Sequence, residues 1–172
     1  MITDRYNREI DYIRISITDR CNLRCKYCMP EEVSFIPHER ILRYEEILRI
    51  VKILAKLGIR KVKLTGGEPL VRRGCDSLIR EIKQIEGIDM VTLTTNGVLL
   101  EEMLPQLLEA GVDAINVSLD TRNRERYLDV TGKDMYVQVE RGIEAVYNSG
   151  IPLKINCVPV QGVNIDEIPD FF

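Results

Sequence analysis

Hydrophobic residues recur along this chain at two alternating periods. Spacings of three and four link Ile47, Ile50, Val51 and Leu54; Leu78, Ile79, Ile82 and Ile85; Met103, Leu104, Leu107 and Leu108; and Val139, Ile143, Val146 and Tyr147. Each set covers one face of a helix. The predicted helices run from about Tyr44 to Leu57, from Asp76 to Ile85 and from Leu99 to Ala110, and a fourth ends near Asn148. Pro105 inside the third blurs its start. Each helix stops at a glycine followed by a branched apolar residue: Gly58-Ile59, Gly87-Ile88, Gly111-Val112 and Gly150-Ile151. Glycine takes the left-handed position after a helix, and the next apolar side chain packs back on it.

The strand period of two appears at Tyr12–Thr18, Lys61–Thr65, Met90–Thr95, Ala114–Leu119 and Leu153–Val158. Strand and helix alternate, which predicts an α/β fold with parallel strands and crossover helices. One phase of every strand is apolar: Ile13, Ile15, Ile17; Val62, Leu64; Val91, Leu93; Ile115, Val117, Leu119; Leu153, Ile155. The other is polar: Arg14, Ser16; Lys63, Thr65; Thr92, Thr94; Asn116, Ser118, Asp120; Lys154, Asn156. A parallel sheet covered on both faces is apolar on both. The alternation therefore predicts a curved, barrel-like sheet with a polar, ligand-filled interior; a sheet with one solvated face is the alternative. That interior would hold Arg14, Lys63 and Lys154. Unpaired buried cations are costly, so the phase calls for an anion such as phosphate or for internal pairing with Asp120 or Glu68.

Length and composition narrow this picture. The 172 residues suit one continuous domain, and 45% apolar with 30% charged residues is globular. No apolar run reaches the ~18 residues of a membrane span, and the charged N-terminus is no secretory signal. The expected location is cytoplasmic, with no membrane partner. A net charge of −3 argues against nucleic acid.

The five cysteines are an odd number, and an unsecreted chain makes a disulfide framework a poor reading. Cys21, Cys25 and Cys28 form CxxxCxxC in a loop at the end of the first strand. Three thiolates so close look like metal ligands. Zinc would want a fourth, and His38 is the sole histidine. Three cysteines also suit three irons of a cubane cluster, leaving one iron open. Arg20, Arg24 and Lys26 are expected to favour the thiolates. Cys75 and Cys157 read as unliganded thiols, and a redox pair of Cys25 and Cys28 would leave Cys21 unexplained.

CxxxCxxC with Tyr27 before its last cysteine, followed by Gly66-Gly67-Glu68-Pro69 after the second strand, resembles the radical S-adenosylmethionine (radical SAM) superfamily. The resemblance implies a partial (β/α)6 TIM-like barrel with about five strand–helix units present. It also implies a [4Fe–4S] cluster on Cys21, Cys25 and Cys28, S-adenosyl-L-methionine on its open iron, and an electron donor. The stretches Tyr12 to Pro30, KLTGGEPLVRR, TTNG, INVSLDT and KINCV are similar to the GTP 3′,8-cyclase family of molybdenum-cofactor (molybdopterin) biosynthesis. In that family the adenosyl radical abstracts hydrogen from C3′ of GTP, and the ribose then attacks C8 of guanine, so no side chain is a catalytic acid or base by necessity. On this resemblance Tyr27, Gly67 and Ser118 contact S-adenosylmethionine, and Arg14, Lys63, Thr94 and Lys154 contact GTP or lie beside the cofactor. Position 63 is usually Arg in the family and is Lys here. The family's second cluster, a [4Fe–4S] that binds the purine, follows in a C-terminal part that this chain does not carry. Residues 1–172 are therefore expected to be a radical SAM core domain incomplete at its C-terminus, inactive in isolation. Homodimerisation is compatible with the resemblance. The rival readings are a radical SAM enzyme acting on a peptide or other small molecule, and a non-catalytic metal- or nucleotide-binding module.

Overall fold

The computed structural model describes residues 2–29 and 34–171; Pro30, which closes the cysteine motif, lies outside them. The elements follow one another as β1 (Tyr12–Ser16), α1 (Tyr44–Lys56), β2 (Lys61–Thr65), α2 (Cys75–Lys83), β3 (Met90–Thr95), α3 (Leu100–Glu109), β4 (Ala114–Ser118), α4 (Arg124–Thr131), α5 (Tyr136–Ser149) and β5 (Leu153–Asn156). Short 3-10 turns span His38–Arg40, Pro69–Val71 and Ile165–Phe171. All four strand pairs are parallel, and their order in space is β1-β2-β3-β4-β5.

That order explains the alternating strands. Each crossover is right-handed by the general rule, and each advances one strand in the same direction. A doubly wound sheet reverses and puts helices on both faces. A sheet that never reverses gathers its helices on one face, as in a barrel. The apolar phase meets those helices: Val62, Leu64, Val91, Leu93, Ile115 and Val117 are all fully buried. On the edge strands Ile13, Ile15, Leu153 and Ile155 are only half-buried, because each has a neighbour on one side alone. The four predicted helix stops all hold glycine at positive φ: Gly58, Gly87, Gly111 and Gly150. Among the described residues no helix is long and apolar enough to cross a membrane.

One helix has no counterpart in the sequence periodicity. Helix α4 buries Tyr127, Val130 and Thr131, while Leu128 stays 45% exposed. Its apolar stripe is too thin to read, yet its ends are marked. The Asn123 side chain accepts from the Arg126 N–H at 3.0 Å, and Gly132 closes the helix at φ 71°. Strand β1 stops at Ser16, β4 at Ser118 and β5 at Asn156, short of the predicted Thr18, Leu119 and Val158. There the backbone leaves the sheet to build loops at its C-terminal end.

Candidate active site at the C-terminal end of the sheet

Cys21, Cys25 and Cys28 lie on the loop that leaves β1. Cys21 and Cys25 are half-buried and Cys28 is exposed. Helix α4 holds this loop. The Arg24 N–H donates to the Thr131 carbonyl at 2.8 Å, and the Lys26 N–H to the Val130 carbonyl at 3.0 Å. Lys26 also pairs with Asp129. Gly132 lets the two backbones meet, since a Cβ there would lie 3.2 Å from the Arg24 carbonyl oxygen.

Gly66 and Gly67, after β2, seat the loop from its other side. The Gly67 N–H donates to the Thr18 carbonyl at 2.7 Å, and the Glu68 N–H to the Arg20 carbonyl at 2.8 Å. A Cβ on Gly66 would lie 2.5 Å from the Thr18 oxygen, and one on Gly67 would lie 2.4 Å from the Arg20 oxygen. Close approach, rather than an unusual φ, requires glycine at both positions.

Glu68 is buried, at 1% exposure, and satisfied by three donors. Its carboxylate accepts from the Leu70 N–H at 3.0 Å, the Thr95 hydroxyl at 2.8 Å and the Asn96 N–H at 2.6 Å. Burial raises its pKa despite these bonds. Asp120, just past β4, plays a similar part. It accepts from the Tyr27 hydroxyl and, through Oδ1, from the Val158 N–H at 2.9 Å. Burial and then the Asp120 carboxylate push the Tyr27 phenol upward, so it stays protonated and donates. Asp120 thus joins the cysteine loop to the ends of β4 and β5.

Both acids are therefore engaged elsewhere, and internal pairing does not neutralise the polar face. Among the described residues, Arg14, Lys63 and Lys154 form no ion pair. Arg14 lies directly beside Lys63 in the β1–β2 register, and Lys154 beside Asn116, which in turn lies beside Thr94. Adjacent strands are ~4.8 Å apart, so two like charges in register repel. Arg14 and Lys154 are exposed and Lys63 is half-buried. Ser118 is exposed at the end of β4, at the same end of the sheet as Tyr27 and Gly67.

For Cys21 and Cys25 the expectation that nearby cations favour thiolates fails. Burial is the largest influence on Cys21 and raises its thiol. Cys25 is pushed up to about 12 by burial and then by Cys21 and Cys28. The Arg24 guanidinium is turned to the Cys21 and Leu23 carbonyls, and Lys26 to Asp129. Without metal the Cys21 and Cys25 thiols are protonated at neutral pH, and metal binding must displace their protons.

Three thiols on one loop match a cubane cluster held by three cysteines with its fourth iron open. Tetrahedral zinc at ~2.3 Å from each sulfur draws its thiolates to roughly 4 Å of one another. Among the described residues no three His, Cys, Asp or Glu converge to hold one ion. His38 stands exposed on a 3-10 turn. Cys75 is wholly buried in the core and Cys157 is half-buried against the Asp120 carbonyl; neither belongs to the triplet.

Comparisons with known proteins bear on the family and the fold. The sequence profile of the Radical SAM superfamily matches residues 15–172. GTP 3′,8-cyclase of Petrotoga mobilis is 49% identical over 98% of this chain and 53% of its own length. Molybdenum cofactor biosynthesis protein 1 of Dictyostelium discoideum is 44% identical over 99% of this chain and 28% of its own length. The chain spans about half the length of the bacterial curated relatives it matches. Among solved structures, anSMEcpe with bound AdoMet superposes at a TM-score of 0.75 with 21% identity, covering 94% of this chain and 46% of that one. Streptococcus suis SuiB bound to precursor peptide SuiA gives 0.74 with 21% identity, covering 94% of this chain and 36% of that one. At that identity these two likenesses concern the fold.

Proposed function

The chain belongs to the radical SAM superfamily, and we propose that it is the N-terminal half of a GTP 3′,8-cyclase, the enzyme that forms the cyclic nucleotide precursor of molybdopterin. The names and identities of its relatives support this reading. Within the chain, one observation carries it. Three cations on the polar strand phase, two of them adjacent in register, lack acidic partners among the described residues. A triphosphate is the anion that answers them.

Cys21, Cys25 and Cys28 hold a [4Fe–4S] cluster in this reading. When bound with S-adenosylmethionine, it supplies a carbon-centred radical able to take a hydrogen atom from C3′ of GTP, so the hard chemistry is the cofactor's. The protein positions and encloses. Gly67 offers bare backbone to the cofactor, Tyr27 and Ser118 flank it, and Arg14, Lys63 and Lys154 orient the phosphates, with Thr94 beside them. Residues 1–172 then form a core domain that continues in a longer protein. Its next strand adds to the open edge of β5, and its downstream part brings the second cluster to the purine. The reading places the enzyme in the cytoplasm, where GTP and a low-potential reductant are at hand and thiols stay reduced.

Arg14→Ala in the full-length protein tests the phosphate role. A charge-assisted hydrogen bond contributes ~1.5–3 kcal/mol, so KM for GTP should rise about tenfold or more. The iron content should not change. An unchanged KM with full iron content would contradict the placement of GTP on this face. S-adenosylmethionine cleavage without any product derived from GTP would contradict the substrate and leave the superfamily intact.

A further inference from the structure

Of the three cluster thiols, Cys21 alone accepts hydrogen bonds through its sulfur among the described residues. One comes from the Leu23 N–H at 3.4 Å and is local to the loop. The other comes from Asn96, 75 residues further along the chain, whose Nδ2 lies 3.7 Å from Sγ. Asn96 follows β3, in the loop beside the one that carries Gly66 and Gly67.

The Asn96 side chain has one orientation open to it. Its Oδ1 accepts from the Val98 N–H at 3.0 Å, which turns Nδ2 toward the cysteine loop. The two amide hydrogens then have two acceptors: Asn22 Oδ1 at 2.7 Å and Cys21 Sγ. Rotating the amide by half a turn would place a donor against the Val98 N–H and an oxygen against Asn22 Oδ1. The backbone is held as well, because the Asn96 N–H donates to the buried Glu68 carboxylate. An unbroken chain of hydrogen bonds thus runs from Glu68 through Asn96 to one ligand sulfur.

We propose that Asn96 is a positioning residue that tunes the reduction potential of the cluster through its N–H···S bond to Cys21. The inference rests on the cluster reading above. A ligand sulfur carries more negative charge when a cluster is reduced, so a fixed N–H donor stabilises the reduced form more than the oxidised one. Hydrogen bonds to sulfur are a recognised control of cluster potential. Asn96 therefore eases entry of the electron, and acts at one corner of the cluster alone.

Redox titration of the full-length protein, followed by electron paramagnetic resonance, tests this. The signal to follow is the one that changes on adding S-adenosylmethionine. Asn96→Ala removes the donor. Asn96→Asp keeps the acceptor for Val98 but sets a carboxylate oxygen toward the sulfur. Both should retain the iron content of the parent. In Asn96→Ala the ratio of reduced to oxidised cluster at a fixed potential should fall about tenfold, which is about 59 mV for one electron. Asn96→Asp should fall further. Asn22→Ala, which removes the other acceptor of the same amide, should shift the potential less than either. Equal potentials in fully loaded variants would overturn the inference alone. Loss of iron from both Asn96 variants would also overturn it, by making Asn96 a structural residue. A parent protein without any iron–sulfur signal would overturn the cluster reading and this inference with it.

Discussion

Replacing Cys21, Cys25 or Cys28 singly with alanine is expected to leave a folded protein that cannot assemble the S-adenosylmethionine cluster. Loss of a residue that merely supports a metal ligand costs 10–100-fold in affinity or activity. Loss of a ligand itself should slow S-adenosylmethionine cleavage by more than about a hundredfold. The fold should persist because these thiols line a surface loop. Cys21 and Cys25 are half-buried and Cys28 is exposed, while the core is made by residues such as Leu64, Leu93 and Ile115. Cys75 supplies the contrast. It is wholly buried in the core, so Cys75→Ser buries a hydroxyl there at a cost of ~1–3 kcal/mol. That variant should melt earlier and still bind iron. Anaerobic reconstitution, with iron analysis and thermal melting on each variant, separates the two classes.

Gly67→Ala should damage fold and site together. The added methyl would lie 2.4 Å from the Arg20 oxygen, 2.7 Å from its carbonyl carbon and 2.8 Å from the Asp19 oxygen. All three are backbone atoms, so no side chain can swing aside. Forcing a methyl into a packed site costs ~1–3 kcal/mol, and each kcal/mol lowers the melting temperature of a domain this size by ~2–4 °C. The expected fall is about 2–12 °C. Relief requires the cysteine loop to move away from β2, which also breaks the Gly67 and Glu68 N–H bonds to that loop. S-adenosylmethionine affinity should drop with stability. Gly162→Ala makes the comparison, since an added methyl there meets nothing within 4 Å. Strain at its φ of 76° remains, but the site does not feel it.

Most of the scaffold was legible in the sequence because two periods never overlapped. Ile13, Val62, Leu93 and Ile115 repeat every second residue within their strands, while Ile47, Val51 and Leu54 repeat at helical spacing. The polar phase of every strand pointed to a barrel-like sheet, and the sequential strand order of the structure agrees with it. Helix α4 was not legible by period, because its outward Leu128 breaks the stripe, although Asn123 and Gly132 mark its ends. The cysteines and Gly66-Gly67 were legible as motifs, since their chemistry is set by spacing. The engagement of Glu68 and Asp120 was not. Both were plausible partners for Arg14, Lys63 and Lys154 by charge alone. Burial of Glu68 among three donors, and the reach of Tyr27 to Asp120, depend on where strand ends fall in space. The acidity of the Cys21 and Cys25 thiols misled for a related reason: Arg24 and Lys26 are near in sequence, but carbonyls and Asp129 take their charge. Asn96 stood in plain view within TTNG, yet nothing in the chain order connects it to Cys21.

In the proposed function the cysteine loop, the Gly66-Gly67 turn and the cationic strand phase form one radical site that acts on GTP. Transfer of deuterium from GTP labelled at C3′ tests it most directly, using the full-length protein under anaerobic reduction with S-adenosylmethionine. The expected product is 5′-deoxyadenosine carrying one deuterium per cyclised nucleotide formed, with none of either product from the Cys25→Ala variant. Unlabelled 5′-deoxyadenosine, formed at the same rate with or without GTP, would contradict it.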